Sequence, residues 1–145
     1  MPHLNLSMTQ SGPFVDIWIS VSDPRRDALR AADQEVKPAV KVRALIDTGA
    51  SCTVIDASIL KKLAIPCVGV TPIFTPSTGE VPHVCHQYDV SLGILDAQGD
   101  PLFLNDSLSV LGSDLPDVDA LIGRDVLAKG ILIYNGAAGT FTLSY

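Results

Sequence analysis

The chain has 145 residues, of which 47% are hydrophobic and 18% are charged, so it is long enough and apolar enough to fold around one core. Its formal net charge of −6 at pH 7 argues against a nucleic-acid partner, because such a partner needs a basic surface. The sequence has no signal-peptide pattern, no apolar run of membrane-spanning length and no CxxC pair among its three cysteines. We therefore expect a cytoplasmic protein with reduced thiols and no membrane insertion.

Short strands and turns are predicted for the first half of the chain. Residues 13–21 alternate between apolar and polar, which is typical of a half-buried strand. Residues 22–38 are polar and end at a proline, and they predict a long loop with about one helical turn. Residues 39–47 are β-branched and apolar, and they predict a second strand. After a turn, residues 52–56 predict a short strand, and residues 57–65 a short helix capped by an aspartate.

The second half continues the same pattern. Residues 68–95 contain two strand-like runs around the turn sequence TPSTGEVP, which is typical of a hairpin. Residues 124–130 predict a short helix that ends at a glycine, and residues 131–145 a closing hairpin. Together these elements predict an all-β fold, built as a barrel or a sandwich, with one or two short helices. We expect residues 1–12 to be flexible and residues 13–145 to form one domain.

An aspartate follows the second predicted strand in the run ALIDTGASCTVID, where a buried charge would cost several kcal/mol unless it were paired. A second motif, ALIGRDVL, lies at residues 120–127. Together, the Asp-Thr-Gly-Ala-Ser run and the Gly-Arg-Asp run resemble the retropepsin-type aspartic proteases, the single-domain relatives of pepsin. The resemblance covers residues 13–145, and it implies a closed-barrel fold with a hairpin, called the flap, at residues 76–80.

The resemblance implies an aspartic endopeptidase that acts as a homodimer. The chain has only one Asp-Thr-Gly, so Asp47 of each copy would meet at a two-fold axis. Two carboxylates in contact share one proton, and the pair would activate a water molecule to attack the peptide bond of an extended substrate. The activity would be best at acidic pH, and no metal or other cofactor is implied.

The resemblance also assigns supporting roles in three segments. In the loop after the catalytic Asp47, it implies the active-site residues Thr48, Gly49, Ala50 and Ser51. In the flap it implies Thr78, Gly79 and Glu80. Near the last helix it implies two structural residues, Gly123 and Arg124. Viral relatives usually carry an acidic residue where this chain has Ser51, which leaves the partner of Arg124 open.

Other interpretations remain beside the enzyme. A catalytically silent dimer of the same fold could bind peptides, and an intact Asp-Thr-Gly does not distinguish it from an enzyme. Asp47 could instead cap a turn, or belong to a phosphate-binding loop, although that loop occurs in larger α/β proteins. The HVCH run at residues 83–86 invites a metal site, but in a strand its second histidine faces away from the first.

Overall fold

The computed structural model describes residues 1–75 and 77–145, which form ten strands and three helices. Pro76, at one end of the predicted flap turn, lies outside the described residues. In chain order the elements are β1 (His3–Ser7), β2 (Phe14–Val21), α1 (Asp23–Ala31), β3 (Val40–Ile46), β4 (Val54–Asp56), α2 (Ala57–Lys62), β5 (Gly69–Ile73), β6 (His83–Leu95), β7 (Pro101–Ser113), β8 (Ala120–Ile122), α3 (Arg124–Leu127), β9 (Ile131–Asn135) and β10 (Thr140–Ser144).

A closed barrel is the main body of the described chain. Its strands follow the order β2-β3-β8-β4-β7-β6, and a pairing between β2 and β6 closes the ring. The strand β5 adds to the outer side of β6, where it forms a free edge. The β3–β8 and β4–β7 pairs are parallel, while the neighbouring pairs are antiparallel. The predicted all-β, barrel-like fold is confirmed.

The barrel is filled by the alternating apolar residues of its strands. Ile17 and Ile19 of β2 are completely buried, as are Leu92 and Ile94 of β6, to which β2 is paired. This inward alternation is what the sequence predicted for residues 13–21. Because β2 contacts both β3 and β6, its side chains fix the position of β3, whose last residue precedes Asp47.

The helix α1 is longer than the single turn predicted within residues 22–38. It spans nine residues, with Pro24 in its first turn, Asp23 at its N-terminal end and Arg30 in its last turn. Proline suits the first turn because the N–H it lacks would have no partner there. The negative charge of Asp23 lies near the positive end of the helix dipole and the positive charge of Arg30 near its negative end, and both interactions are favourable. The described chain therefore has three helices, where one or two were predicted.

A second, smaller sheet is built from the two ends of the chain, in the order β1-β10-β9. Leu4 of β1 lies opposite Leu143 of β10, and both side chains are buried beneath the sheet. The strand β1 falls within the segment that was expected to be flexible, and that flexibility stays a prediction. Among the described residues the longest helix has nine residues, and none is long and apolar enough to cross a bilayer.

Asp56 caps the helix α2 and also ties it to a distant loop. Its Oδ1 accepts hydrogen bonds from the backbone N–H of Ser58, at 2.9 Å, and from the Ser58 hydroxyl. Its Oδ2 accepts the N–H of Leu115, also at 2.9 Å. These bonds favour the ionised carboxylate and hold the pKa of Asp56 below its usual range. The bond from the Ser58 hydroxyl has the largest effect. The predicted cap is confirmed.

We expect Asp56→Ala to lower the free energy of unfolding by about 1–2 kcal/mol at pH 7, because it removes the cap and the tie to Leu115. The folded pKa of Asp56 lies below the unfolded value, so its stabilisation is present above about pH 4 and is lost as the pH falls through the folded pKa. Urea unfolding of wild type and variant should therefore converge in acid. The exposed Asp114→Ala serves as the control, and an equal loss from it would contradict the role of the cap.

Candidate active site

Asp47 lies at the end of β3, in a turn that its own side chain organises. The Asp47 N–H donates to the carbonyl of Ile122 at 2.9 Å, which continues the pairing of β3 with β8 beyond the strand. The Oδ1 atom accepts the N–H of Gly49 at 2.9 Å and that of Ala50 at 3.3 Å. No described residue donates a hydrogen bond to Oδ2. The turn therefore fixes the carboxylate and leaves one oxygen free for another partner.

A side chain at Gly49 would crowd the carboxylate of Asp47. A Cβ atom built on Gly49 would lie 3.1 Å from Oδ1 of Asp47, closer than most side chains approach an oxygen. The hydrogen bond from the Gly49 N–H to that same oxygen needs this close approach. The glycine of the Asp-Thr-Gly sequence thus allows the backbone to contact the carboxylate directly.

The helix α3 holds the Asp47 turn from behind. The N–H of Arg124 donates to the carbonyl of Ala50 at 2.9 Å, and its Nη1 donates to the carbonyl of Thr48 at 3.2 Å. Because Ser51 is not acidic, the sequence did not indicate a partner for Arg124. In the structure its partner is the backbone of the Asp47 turn. Two carbonyls that follow Asp47 are fixed by one residue of α3.

Thr53, which follows the Asp47 turn, is joined to α3 by polar contacts that the sequence did not reveal. Both carboxylate oxygens of Asp125 accept bonds from Thr53, one from the N–H at 2.9 Å and one from the hydroxyl at 2.8 Å. The Thr53 hydroxyl in turn accepts the N–H of Gly123 at 3.1 Å. Thr53 is completely buried. The only signal in the sequence was that Asp125 follows the Gly-Arg pair, and nothing there indicated Thr53 as its partner.

Gly123 packs against the backbone of the same segment. A Cβ atom at Gly123 would lie 2.5 Å from the carbonyl carbon and oxygen of Cys52, and 2.9 Å from the nitrogen of Thr53. Backbone atoms cannot move aside as a flexible side chain can, so a larger residue would push α3 away from the turn. Glycine at position 123 therefore allows α3 to pack closely against residues 52 and 53.

A cavity of about 660 Å³ opens above Asp47, between the turn and the flap hairpin. Among the described residues that line it, Asp47 is the only carboxylate. Much of the wall is apolar and comes from residues that the sequence had not assigned to the site: Val54, Ile73, Phe74, Leu111, Leu115 and Leu121.

The predicted site residues divide into three groups. Those that line the cavity beside Asp47 are Gly49, Ala50, Ser51 and Thr78. Gly123 and Arg124 lie behind the turn and contact its backbone. Thr48, Gly79 and Glu80 are exposed and do not line the cavity in the described chain.

The flap hairpin consists of β5 and β6 and the turn between them. Gly79 has a φ of +60°, a left-handed conformation that glycine adopts without strain. Before it, the Thr78 hydroxyl accepts the N–H of Thr75 at 2.8 Å and donates to the Thr75 carbonyl at 3.0 Å. The turn is therefore held by its own side chains. The prediction of a hairpin at this position is confirmed, and a role for it over a substrate stays a prediction.

The cysteines and histidines near the cavity form no metal site. Cys52, Cys85 and His83 line it, while Nδ1 of His86 lies 3.6 Å from Sγ of Cys67. Within residues 1–75 and 77–145, no group of three or more His, Cys, Asp or Glu is placed to bind a metal. Burial raises the pKa of the Cys52 thiol, which keeps it protonated and weakly nucleophilic at neutral pH.

Volume alone does not identify the site. A larger cavity of about 930 Å³ lies between the residues near Thr9 and the segment from Leu115 to Asp119. Its lining does not include Asp47 or the flap. The cavity above Asp47 is the one in which a fixed carboxylate, an apolar wall and a hairpin meet.

Comparisons with solved structures identify the fold. A retropepsin-like aspartic protease from Rickettsia conorii is 14% identical, with a TM-score of 0.59, and the match covers 98% of this chain and 90% of that one. The EIAV protease in complex with an inhibitor is 16% identical, with a TM-score of 0.45 and coverages of 81% and 86%. The retroviral protease-like domain of Ddi1 from Leishmania major is 10% identical, with a TM-score of 0.43 and coverages of 90% and 92%.

No protein-family model matches the sequence, and no curated protein is significantly similar to it. The likeness to the Rickettsia conorii protein extends over nearly the whole chain, at an identity too low to carry more than the fold. The chain therefore has the retropepsin-like fold that its two motifs predicted.

We expect Thr53→Val to lower the free energy of unfolding by about 1–3 kcal/mol, because it leaves the N–H of Gly123 without its acceptor and removes the hydroxyl bond to Oδ1 of Asp125, which keeps only the N–H of Val126. Thr53→Ser keeps the hydroxyl and is the matched control, with a smaller loss. Urea unfolding monitored by Trp18 fluorescence compares the two variants. Equal losses would mean that packing of the Thr53 methyl group, and not the hydrogen bonds, stabilises this contact.

Proposed function

We propose that this chain is an aspartic endopeptidase whose active site forms when Asp47 of one copy meets Asp47 of a second copy. The observation that carries the proposal is the fixed carboxylate of Asp47, which is the single acidic group among the described residues lining the cavity. Acid–base hydrolysis by this route needs two carboxylates. A homodimer supplies the second by symmetry, with the same residue facing itself.

The chemistry follows from the charge of such a pair. Two carboxylates in contact hold one proton between them, because placing two negative charges side by side is unfavourable. The ionised carboxylate takes a proton from a bound water, and the water oxygen forms a bond to the carbonyl carbon of the peptide. The protonated carboxylate donates its proton to the carbonyl oxygen. When the tetrahedral intermediate collapses, one carboxyl of the pair gives its proton to the leaving nitrogen and the C–N bond breaks. The other carboxylate takes a proton from a hydroxyl of the intermediate, so the pair again holds one proton.

The substrate in this proposal is an extended peptide lying between the Asp47 turn and the flap. The apolar wall of the cavity would receive its side chains, and the backbone of the flap would bond its main chain. Closure of the flap, led by Thr78, Gly79 and Glu80, would exclude water from the reacting groups. Thr48 is exposed and next to Asp47, so it is available to bond across the dimer axis.

Two further expectations belong to the same proposal. Residues 13–145 would form the protease domain, since the barrel, the flap and the α3 support all fall within them. The protein would act in the cytoplasm, where thiols stay reduced, and its three cysteines, Cys52, Cys67 and Cys85, are free in the structure.

We expect Asp47→Asn to abolish peptide cleavage, with a loss of at least about 10²-fold, because the amide cannot accept the proton of the water. The fold and the dimer should persist, since the amide oxygen can still accept the N–H of Gly49. Cleavage of a peptide library between about pH 4 and pH 7 measures this. Asp27→Asn, the same change on the exposed surface of α1, is the control.

The outcomes of that experiment separate the candidate functions. Cleavage by wild type and by Asp27→Asn alone, blocked by a statine-type inhibitor, would support the enzyme. Full activity of Asp47→Asn would refute the mechanism. A wild type that is dimeric and binds peptides but does not cleave them would instead establish the silent peptide-binding module.

We also expect Asp47→Asn to inhibit wild type when the two are mixed and allowed to exchange subunits. A mixed dimer has one carboxylate at the axis and should be inactive, so an equal mixture should retain about a quarter of the activity per total dimer that pure wild type has. Activity that stays proportional to the amount of wild type would mean that one Asp47 is sufficient, which would contradict the shared site.

A further inference from the structure

His83 begins β6, on the face of the flap hairpin that lines the cavity above Asp47. Side chains alternate along a strand, so the buried Cys85 lies on the same face as His83, while Val84 between them is 58% exposed on the opposite face. The cross-strand neighbour of His83 is Ile73, which also lines the cavity. The imidazole is therefore positioned by two paired strands and not by the turn of the flap.

Its possible charge distinguishes His83 from the other residues of the cavity. No lysine or arginine is among the described residues that line it, and the other titratable groups there are Asp47 and the thiols of Cys52 and Cys85. Thiols carry no charge in acid, and a carboxylate is negative or neutral. Histidine gains a positive charge in mildly acidic solution. His83 can therefore supply the one positive charge of this described lining.

The imidazole of His83 is available to a ligand. It is exposed, and no described residue forms an ion pair or a hydrogen bond with its ring. The hydroxyls of the flap turn differ, because those of Thr75, Ser77 and Thr78 bond within the turn itself. On the flap side of the cavity, His83 is thus the polar side chain that has not been used by the fold.

We infer that His83 is a specificity-determining residue that binds a carboxylate side chain of the peptide substrate, from glutamate or aspartate. The inference rests on the proposed function, from which it takes an extended peptide lying between the Asp47 turn and the flap. A protonated imidazole donates a charge-assisted hydrogen bond to a carboxylate, and it repels lysine and arginine. The substrates would then carry one acidic residue near the cleaved bond and apolar residues against the rest of the wall.

The pH at which the proposed Asp47 pair works also favours this contact. The pair holds its shared proton in acid, where histidine is charged as well. In model peptides, glutamate is ionised above about pH 4.3 and histidine is protonated below about pH 6.5, so the two opposite charges coexist between these values. The preference for an acidic substrate residue should therefore weaken as the pH rises above neutral. A contact made by a neutral imidazole would not weaken in this way.

The test uses pairs of peptides that differ only by glutamate against glutamine at one position. A peptide that the wild type cleaves is substituted at each position in turn, and kcat/KM is measured for both members of each pair at about pH 5.5. The ratio within a pair cancels the pH dependence of the Asp47 pair. For wild type, one position should favour glutamate by about threefold to fivefold, which is the effect of a partly exposed ion pair.

Three variants assign that preference to one side chain. His83→Gln removes the charge and keeps a polar group, so the preference for glutamate should disappear. His86→Gln is the matched control, because it makes the same change on the same strand outside the cavity lining, and the preference should persist. His83→Lys restores a positive charge and should extend the preference to about pH 8, where histidine is neutral. Circular dichroism confirms that all three remain folded.

Each outcome decides the inference. A preference that is lost in His83→Gln and kept in His86→Gln would support it. A wild type without a preference for glutamate at any position, or an equal loss in both glutamine variants, would overturn it.

Binding separates this inference from the proposed function. Statine-type analogues of the same peptide pairs cannot be cleaved, and fluorescence anisotropy measures their dissociation constants. A wild type that cleaves nothing but binds the glutamate analogue more tightly, through His83, would remove the function alone. A wild type that cleaves peptides without regard to glutamate would remove the inference alone. A wild type that binds neither analogue and cleaves nothing would overturn both.

Discussion

The contact between Thr53 and Asp125 is the constraint on which the rest of the site depends. Thr53 follows the Asp47 turn, and Asp125 lies on α3, so their two hydrogen bonds hold a loop against a helix far along the chain. Thr53 is completely buried, so a broken bond there would leave its polar atoms without water. Because α3 also holds the backbone of the turn, the position of the Asp47 turn depends on Thr53, Arg124 and Asp125, none of which lines the cavity.

The orientation of the Asp47 carboxylate is set within one chain, by groups that are distinct from those that would react with it. Local backbone donors hold one oxygen of Asp47, and they would do so whether or not a second copy were present. The other oxygen has no donor among the described residues. In the proposed dimer, each chain would bring an ordered half of the site. The energy needed to order the turn is supplied during folding, and little more would be required when the two halves met.

Local patterns predicted short strands of a barrel or a sandwich and the turn after Asp47, and the resemblance of two motifs implied the closed barrel. Alternation fixed the faces of β2, and the Asp-Thr-Gly order fixed a turn that its own side chain stabilises. The contact of Thr53 with Asp125 joins residues 72 positions apart, and no local pattern marks such a pair. The apolar wall above Asp47 was missed for a similar reason, since Leu111 and Leu121 reach it only through the pairing of β4 with β7 and β8. The helix α1 was underestimated because polar residues outweighed its good helix formers.

The pairing of β1 with β10 of the same chain has a consequence for how the protein reaches its working state. The two ends of one chain complete each other's sheet, so burial of Leu4 and Phe141 does not wait for a partner. Folding and association are then separate equilibria, and only the second depends on concentration. Under the proposed function, a cell that keeps such a chain dilute would hold a folded reserve with half a site in each molecule. A local rise in its concentration would then switch the enzyme on without any covalent change.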